Sequence, residues 1–164
     1  MAEISVAHRS QATTIDWKAA AWAGVIAGAI FMMLEMIMVP LFLDGSPWGP
    51  PRMIAAIVMG EGVLPPPATF DLGIVMAAII VHFVLSIVFA IILAFPASRL
   101  GFGAALGLGA AFGLLLYLVN FYGFTAIFPW FAMARNWVSV VAHILFGLIA
   151  AWSYKRMAEP AVSA

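Results

Sequence analysis

Four long apolar runs constrain the fold of this 164-residue chain more than any other feature. They cover roughly residues 19–43, 72–95, 100–121 and 137–154. A helix that crosses a bilayer needs about 20 apolar residues, so each run can span, and the last is at the short end of the range. We therefore predict an all-α fold, an integral membrane four-helix bundle that lies in a lipid bilayer.

The composition agrees with a membrane protein and excludes several functions. The chain is 66% hydrophobic and only 9% charged, whereas a soluble domain carries about 25% charged residues. Basic and acidic residues balance at seven each, so there is no basic field for nucleic acid. Cysteine is absent, which excludes disulfides, thiolate metal sites and a cysteine nucleophile. No nucleophile elbow, phosphate loop or His-Glu-x-x-His helix favours an enzyme.

The domain organisation is simple. We predict a polar leader (1–16), one four-span transmembrane domain (17–156) and a short tail (157–164). The first run exceeds the usual apolar region of a signal peptide and lacks a small-residue cleavage site, so we expect it to remain as a span. With both ends inside, the cytoplasmic side carries five basic residues and the outer side two, which favours N-in and C-in. The five are Arg9, Lys18, Arg99, Lys155 and Arg156, and the two are Arg52 and Arg135.

The first outer loop, residues 44–70, contains helix signals of its own. Pro50 and Pro51 suit a helix start, and Gly60 suits a helix end. The helix between them would measure ~13 Å, too short to cross, so we predict an interfacial or re-entrant helix. Thr69 is then expected to cap the second span, with Asp71 in its first turn.

The second outer loop is crowded with aromatic residues. An interfacial belt that anchors the protein in the bilayer is one interpretation, because amphipathic rings prefer the headgroup level. A quinone or lipid-tail site between the rings is the other. The residues are Phe121, Tyr122, Phe124, Phe128, Trp130, Phe131 and Trp137.

Only three ionisable side chains lie well inside the apolar runs, namely Glu35, His82 and His143. A charge within the bilayer costs roughly 2.5–3.5 kcal/mol on insertion scales and indicates a functional site. At 1.5 Å per residue, the three lie ~12, ~15 and ~10 Å from the outer ends of their spans. We therefore predict an intramembrane polar cluster in the outer half of the bundle.

Small residues indicate which helix faces meet, because they let backbones approach. Gly24 and Gly28 share a helical stripe with Glu35, so that carboxylate is expected to face another helix. Gly109 and Gly113 form a second packing stripe. Three further polar side chains lie on the inward faces as expected partners of the cluster, namely Ser86, Tyr117 and Asn120.

The cluster allows four interpretations. It could satisfy its own polar groups and hold the helices in register. Glu35, His82 and His143 could instead be ligands of a zinc, iron or copper ion. The two histidines could ligate a b-type haem, with Gly109 and Gly113 making room for the macrocycle. Finally, Glu35 could carry protons or ions, which with only four helices would require an oligomer.

Four strings resemble a family of small, uncharacterised four-helix bacterial membrane proteins. They are SPWGPPRMIAAIVMG (46–60), VLPPPATFD (63–71), YLVNFYG (117–123) and PWFAMARNWVSVVAH (129–143). Some members carry a sodium:proline symporter label, but a symporter of that class has many more helices than this chain can hold. The resemblance covers roughly residues 17–156. It implies the four-span topology and a bacterial inner membrane, and it transfers no functional residues.

The leading functional prediction is a non-catalytic protein that acts as an accessory subunit or as a homo-oligomer. Its basis is that four helices offer more small-residue faces than one bundle interior needs. A metal- or haem-binding redox protein and a proton or ion conduit are the alternatives.

Overall fold

The computed structural model describes residues 15–158, so most of the predicted leader and tail lies outside the described residues. Within this range there are five α-helices and no strand. Four of them are long and apolar enough to cross a membrane. One of these four begins at Phe102 and is counted with its helical extension to Ala126. The prediction of an all-α four-helix membrane bundle is confirmed. The helices are α1 (Trp17–Phe42), α2 (Gly49–Met59), α3 (Leu72–Ala97), α4 (Phe102–Leu118) and α5 (Trp137–Met157).

Short polar side chains cap the N-termini of three of the spanning helices. Asp16 accepts a hydrogen bond from the Ala19 N–H at 2.9 Å, and Asn136 accepts one from Ser139 at 3.0 Å. Asp71 accepts from the Ile74 N–H at 3.0 Å and is the N-cap of α3. The prediction that Thr69 caps this helix was wrong. Its carbonyl oxygen instead accepts from the guanidinium of Arg52.

Helix α5 lies at the centre of the bundle and packs against the other three spans. Its contact with α4 is so close that a Cβ added at Gly109 or Gly147 would collide with the facing backbone carbonyl. A Cβ at Gly24 would lie 2.6 Å from the Cα of Ile87 on α3. Glycine is therefore required where these helices cross, and dispersion contacts between the backbones hold them together.

Helix α2 belongs to the first connection. It has eleven residues, or ~16 Å, and does not span. It begins at Gly49, and Pro50 and Pro51 lie in its first turn as predicted, where no N–H is needed. It ends as predicted at Gly60, whose φ of 82° lies in the left-handed region that favours glycine.

Both long connections lie on one face of the bundle, here called the loop face. The described chain ends and the α3–α4 turn lie on the opposite, terminal face. Two arginines organise the loop face. Arg52 donates to the carbonyl oxygens of Thr69 and Val63 at 3.0 and 2.9 Å, and Arg135 donates to that of Phe121 at 2.7 Å.

The two connections are also bonded to each other. The indole N–H of Trp130 donates to the carbonyl oxygen of Met53 on α2 at 3.0 Å. We call the resulting layer the roof, which comprises residues 43–71 and 119–136. It covers the loop-face ends of the four spans.

Candidate functional site

A cavity of about 540 Å³ lies beneath the roof, and all four spans contribute to its wall. This volume falls within the ~300–1,000 Å³ typical of small-molecule sites. Most of the wall is apolar. The polar side chains that the sequence places within the spans gather at this cavity.

The structure brings together five of the six residues predicted to form or surround the polar cluster. Glu35, His82 and His143 are buried, with exposed fractions of 7%, 7% and 5%, and all three line the cavity. Ser86 and Asn120 also line it. The sixth residue, Tyr117, lies outside the lining and contacts the cluster only through its ring, whose centroid is 5.8 Å from that of His143.

Glu35 has the least satisfied side chain of the group. Its Oε1 atom is buried and has no hydrogen-bond partner in the described part of the chain. The Ser139 hydroxyl of α5 faces the same carboxyl group. Of residues 15–158, no lysine or arginine lines the cavity, so this part of the chain supplies the carboxyl group with no lysine or arginine counter-charge.

His82 is bonded to the first helix. Its Nε2 lies 2.8 Å from the carbonyl oxygen of Gly28 and 3.4 Å from the Ser86 hydroxyl. Because a carbonyl oxygen only accepts, the Nε2–H donates and Nδ1 is left as an acceptor. The close approach of α1 to α3 at Gly28 makes this bond possible, since a Cβ there would collide with Ser86.

His143 is bonded through both ring nitrogens. Its Nδ1 donates to the Ser139 carbonyl oxygen at 2.7 Å, so Nε2 accepts from the amide of Asn120 at 3.2 Å. Asn120 lies in a π-helical turn, Val119–Gly123, that continues α4. Such turns re-aim a side chain and are frequent at functional sites.

Phe31 packs on both imidazoles. Its ring centroid lies 5.5 Å from that of His82 and 4.8 Å from that of His143. Among residues 15–158, no group of three His, Asp or Glu side chains is placed to hold a metal ion. The structure therefore does not assemble the three-ligand metal site suggested for Glu35, His82 and His143, and the two histidines are directed to separate partners.

The geometry also disfavours the haem interpretation. Gly109 and Gly113 were expected to make room for a macrocycle, but the α5 backbone at Gly147 and His143 fills the space beside them. The Nε2 lone pair of His143, which an iron ion would need, accepts from Asn120 instead. The two glycines thus serve helix packing.

The roof supplies a large part of the cavity wall, and of its two connections the sequence suggested only the aromatic one as a site. Met53 and Ile57 of α2 line it, although their segment was predicted only as an interfacial or re-entrant helix. Aromatic residues of the second connection also line it, namely Phe121, Phe124, Phe128 and Phe131. The density of aromatic residues was the one sequence signal for this wall.

No family model, curated protein or solved structure matches this chain. The resemblance to the family of small bacterial membrane proteins therefore stays a prediction. The chain is a small polytopic membrane protein, and its site is interpreted from its own geometry.

Proposed function

We propose that this membrane protein binds an amphipathic small molecule in the cavity beneath the roof. The polar head of the ligand would lie at Glu35, His82 and His143, and its apolar body would lie against the aromatic wall. The observation that carries the proposal is the buried carboxyl group of Glu35, which lines the cavity and whose Oε1 atom has no hydrogen-bond partner in the described part of the chain. An unsatisfied buried polar group costs about 1–3 kcal/mol, which a ligand could recover.

The side chains of the wall suit an apolar ligand of variable shape. Besides the four phenylalanines of the second connection, Met32, Met36 and Met53 line the cavity. Methionine is unbranched and polarisable, so it adapts to differently shaped partners. The quinone or lipid-tail site considered for the aromatic loop is a special case of this proposal.

Two other interpretations account for less of the site. Hydrogen bonds within the bundle explain His82 and His143, but they leave Glu35 Oε1 unexplained. A proton or ion conduit would have to continue to the terminal face, where alanines and Tyr154 form a packed apolar core. This core is made by Ala19, Ala20, Ala23, Ala94, Ala97, Ala105 and Tyr154.

Association with other chains, as an accessory subunit or in a homo-oligomer, is a second candidate. The predicted packing glycines are used within the chain, which weakens its original basis. Gly103 and Gly107 of α4, however, are exposed, and an added Cβ would meet nothing within 4 Å. Two glycines four residues apart on a lipid-facing helix favour contact with another helix.

The setting of the protein remains part of the proposal. A bacterial inner membrane with the terminal face in the cytoplasm is supported by the basic residues of that face. Lys18, Arg99, Lys155 and Arg156 lie there, whereas both arginines of the loop face are bonded to backbone carbonyls. The cavity would then lie on the outer side.

Photolabelling tests the binding proposal. The protein is reconstituted in nanodiscs and treated with a long-chain alcohol that carries a diazirine, and labelled residues are mapped by mass spectrometry. We expect saturable labelling of cavity residues, lost in Met36→Trp, which fills the cavity. The control Met33→Trp places the same bulk on the lipid side of α1, where Met33 is 61% exposed. Labelling confined to lipid-facing residues and equal in both variants would contradict the proposal.

A further inference from the structure

The hydrogen-bonding groups left free in the cavity are mainly acceptors. The Nε2–H of His82 is used on Gly28 and the Nδ1–H of His143 on Ser139, so neither imidazole offers an N–H to a ligand. Asn120 uses one amide N–H on His143, which leaves its carbonyl oxygen and its second N–H. With the carboxyl group of Glu35 and the Nδ1 of His82, the free groups include more acceptors than donors, so they favour a ligand head that donates hydrogen bonds.

Asn136 uses one amide N–H on the carbonyl oxygen of Ala134, and its side-chain oxygen accepts from the Ser139 N–H. The hydroxyls of Ser86 and Ser139 lie beside His82 and Glu35 and are shared with these neighbours. The carboxyl group of Glu35, whose Oε1 atom has no partner among residues 15–158, is thus the strongest acceptor in the wall.

Charge points in the same direction. Among the described residues that line the cavity, Glu35 is the one carboxyl group, and there is no lysine or arginine. The two arginines of the roof are bonded to backbone carbonyls.

The aromatic wall is compatible with a cation. Phe31 and the four phenylalanines of the second connection present rings to the cavity. The face of an aromatic ring attracts a cation within about 6 Å, and the attraction grows when water is excluded. An anionic ligand would instead meet a carboxyl group and electron-rich rings.

We propose, on the basis of the binding function above, that the ligand is a lipophilic organic cation whose protonated amine pairs with Glu35. The amine donates to the carboxyl group of Glu35, and the free acceptors of His82 and Asn120 line the same cavity. Its apolar body extends toward the roof over the ~10 Å that separates Glu35 from the end of α1 at Phe42.

A matched pair of probes tests the charge requirement. A long-chain amine and the alcohol of the same chain length, each with the same diazirine, are compared in nanodiscs of zwitterionic lipid. We expect the amine to reach half-saturation of cavity labelling at a concentration at least ~10-fold lower, which corresponds to ~1.4 kcal/mol. This comparison uses the unmodified protein and does not depend on the folding of a variant.

Variants then assign the preference to one carboxyl group. Glu35→Gln keeps the shape and removes the charge, so it should abolish the difference between amine and alcohol, and Glu35→Asp should retain part of it. Glu61→Gln removes an exposed carboxylate outside the cavity and should leave the difference intact. If the alcohol and the amine label the cavity equally, the cation inference fails and the binding function stands. If neither labels the cavity, the proposed function fails as well.

Discussion

The two halves of the bundle use the same four helices in opposite ways. Toward the terminal face, small residues lie on every inward surface, so the backbones touch and an alanine core fills the interior. Toward the loop face, larger side chains such as Phe31 and Glu35 lie on the inward surfaces, and a cavity of about 540 Å³ remains. The comparison indicates that the packed half supplies stability, whereas the open half leaves space for the proposed ligand.

The largest effect is expected where α4 and α5 touch, just below the cavity. Gly147→Ala should destabilise the fold by about 3 kcal/mol, because the new methyl group collides with the Gly109 carbonyl and the helices must separate. Unfolding in mixed micelles on titration with SDS measures this loss. The same change at exposed Gly103, whose added Cβ meets nothing, is the control and should be neutral or slightly stabilising. Equal effects at the two sites would remove the distinction between packed and lipid-facing glycines.

A smaller effect is expected in the roof. Arg52→Ala should cost about 2 kcal/mol locally, because the side chain donates to two backbone carbonyls and is buried. Hydrogen exchange should rise in residues 60–71 while the spans stay protected. Arg52→Lys keeps the charge but cannot reproduce the fork of donors. Its loss of stability should therefore lie between zero and that of Arg52→Ala. Unchanged exchange in residues 60–71 would show that this arginine does not hold the roof.

The sequence predicted the spans well because their length and apolar character are set by the bilayer and not by detailed packing. The residue that caps α3 was not predictable in the same way. Thr69 and Asp71 are both capable caps, and the choice depends on Arg52, which binds Thr69 from another part of the loop. Composition cannot show which long-range partner a side chain finds.

The candidate site shows the same limit. Helical periodicity and depth placed Glu35, His82 and His143 on inward faces at similar levels. The periodicity did not reveal that Phe31 packs on both imidazoles, or that a π-helical turn aims Asn120 at His143. Those features depend on the relative rotation of neighbouring helices. The cavity itself is the space left between side chains, and no single segment encodes it.

A third prediction separates a ligand-binding carboxyl group from a structural one. Glu35→Met should stabilise the fold by about 1 kcal/mol, because it removes a buried polar atom that has no protein partner. His143→Met should destabilise it by about 1–3 kcal/mol, since Ser139 and Asn120 each lose a hydrogen-bond partner. Both variants are measured by the same SDS titration. A loss of stability in Glu35→Met equal to that in His143→Met would support the interpretation that the cluster holds the helices in register.

The smallest effect on folding, below about 0.5 kcal/mol, is expected for Gly107→Leu on the lipid side of α4. This substitution adds to the comparison of the two halves a third surface, the lipid side of α4, which another chain would contact. Gly107 meets no other part of the described chain, so a leucine there leaves the bundle intact but prevents close approach of a second helix. If the protein self-associates through this face, cross-linking in native membranes and the mass measured in mild detergent should both shift toward the monomer. Leu114→Ile, which keeps the bulk of an exposed α4 side chain, should leave both measurements unchanged. A wild-type protein that is monomeric in both assays would exclude this face as a homo-oligomer contact, and the small-residue surfaces of the chain would then serve its own bundle alone.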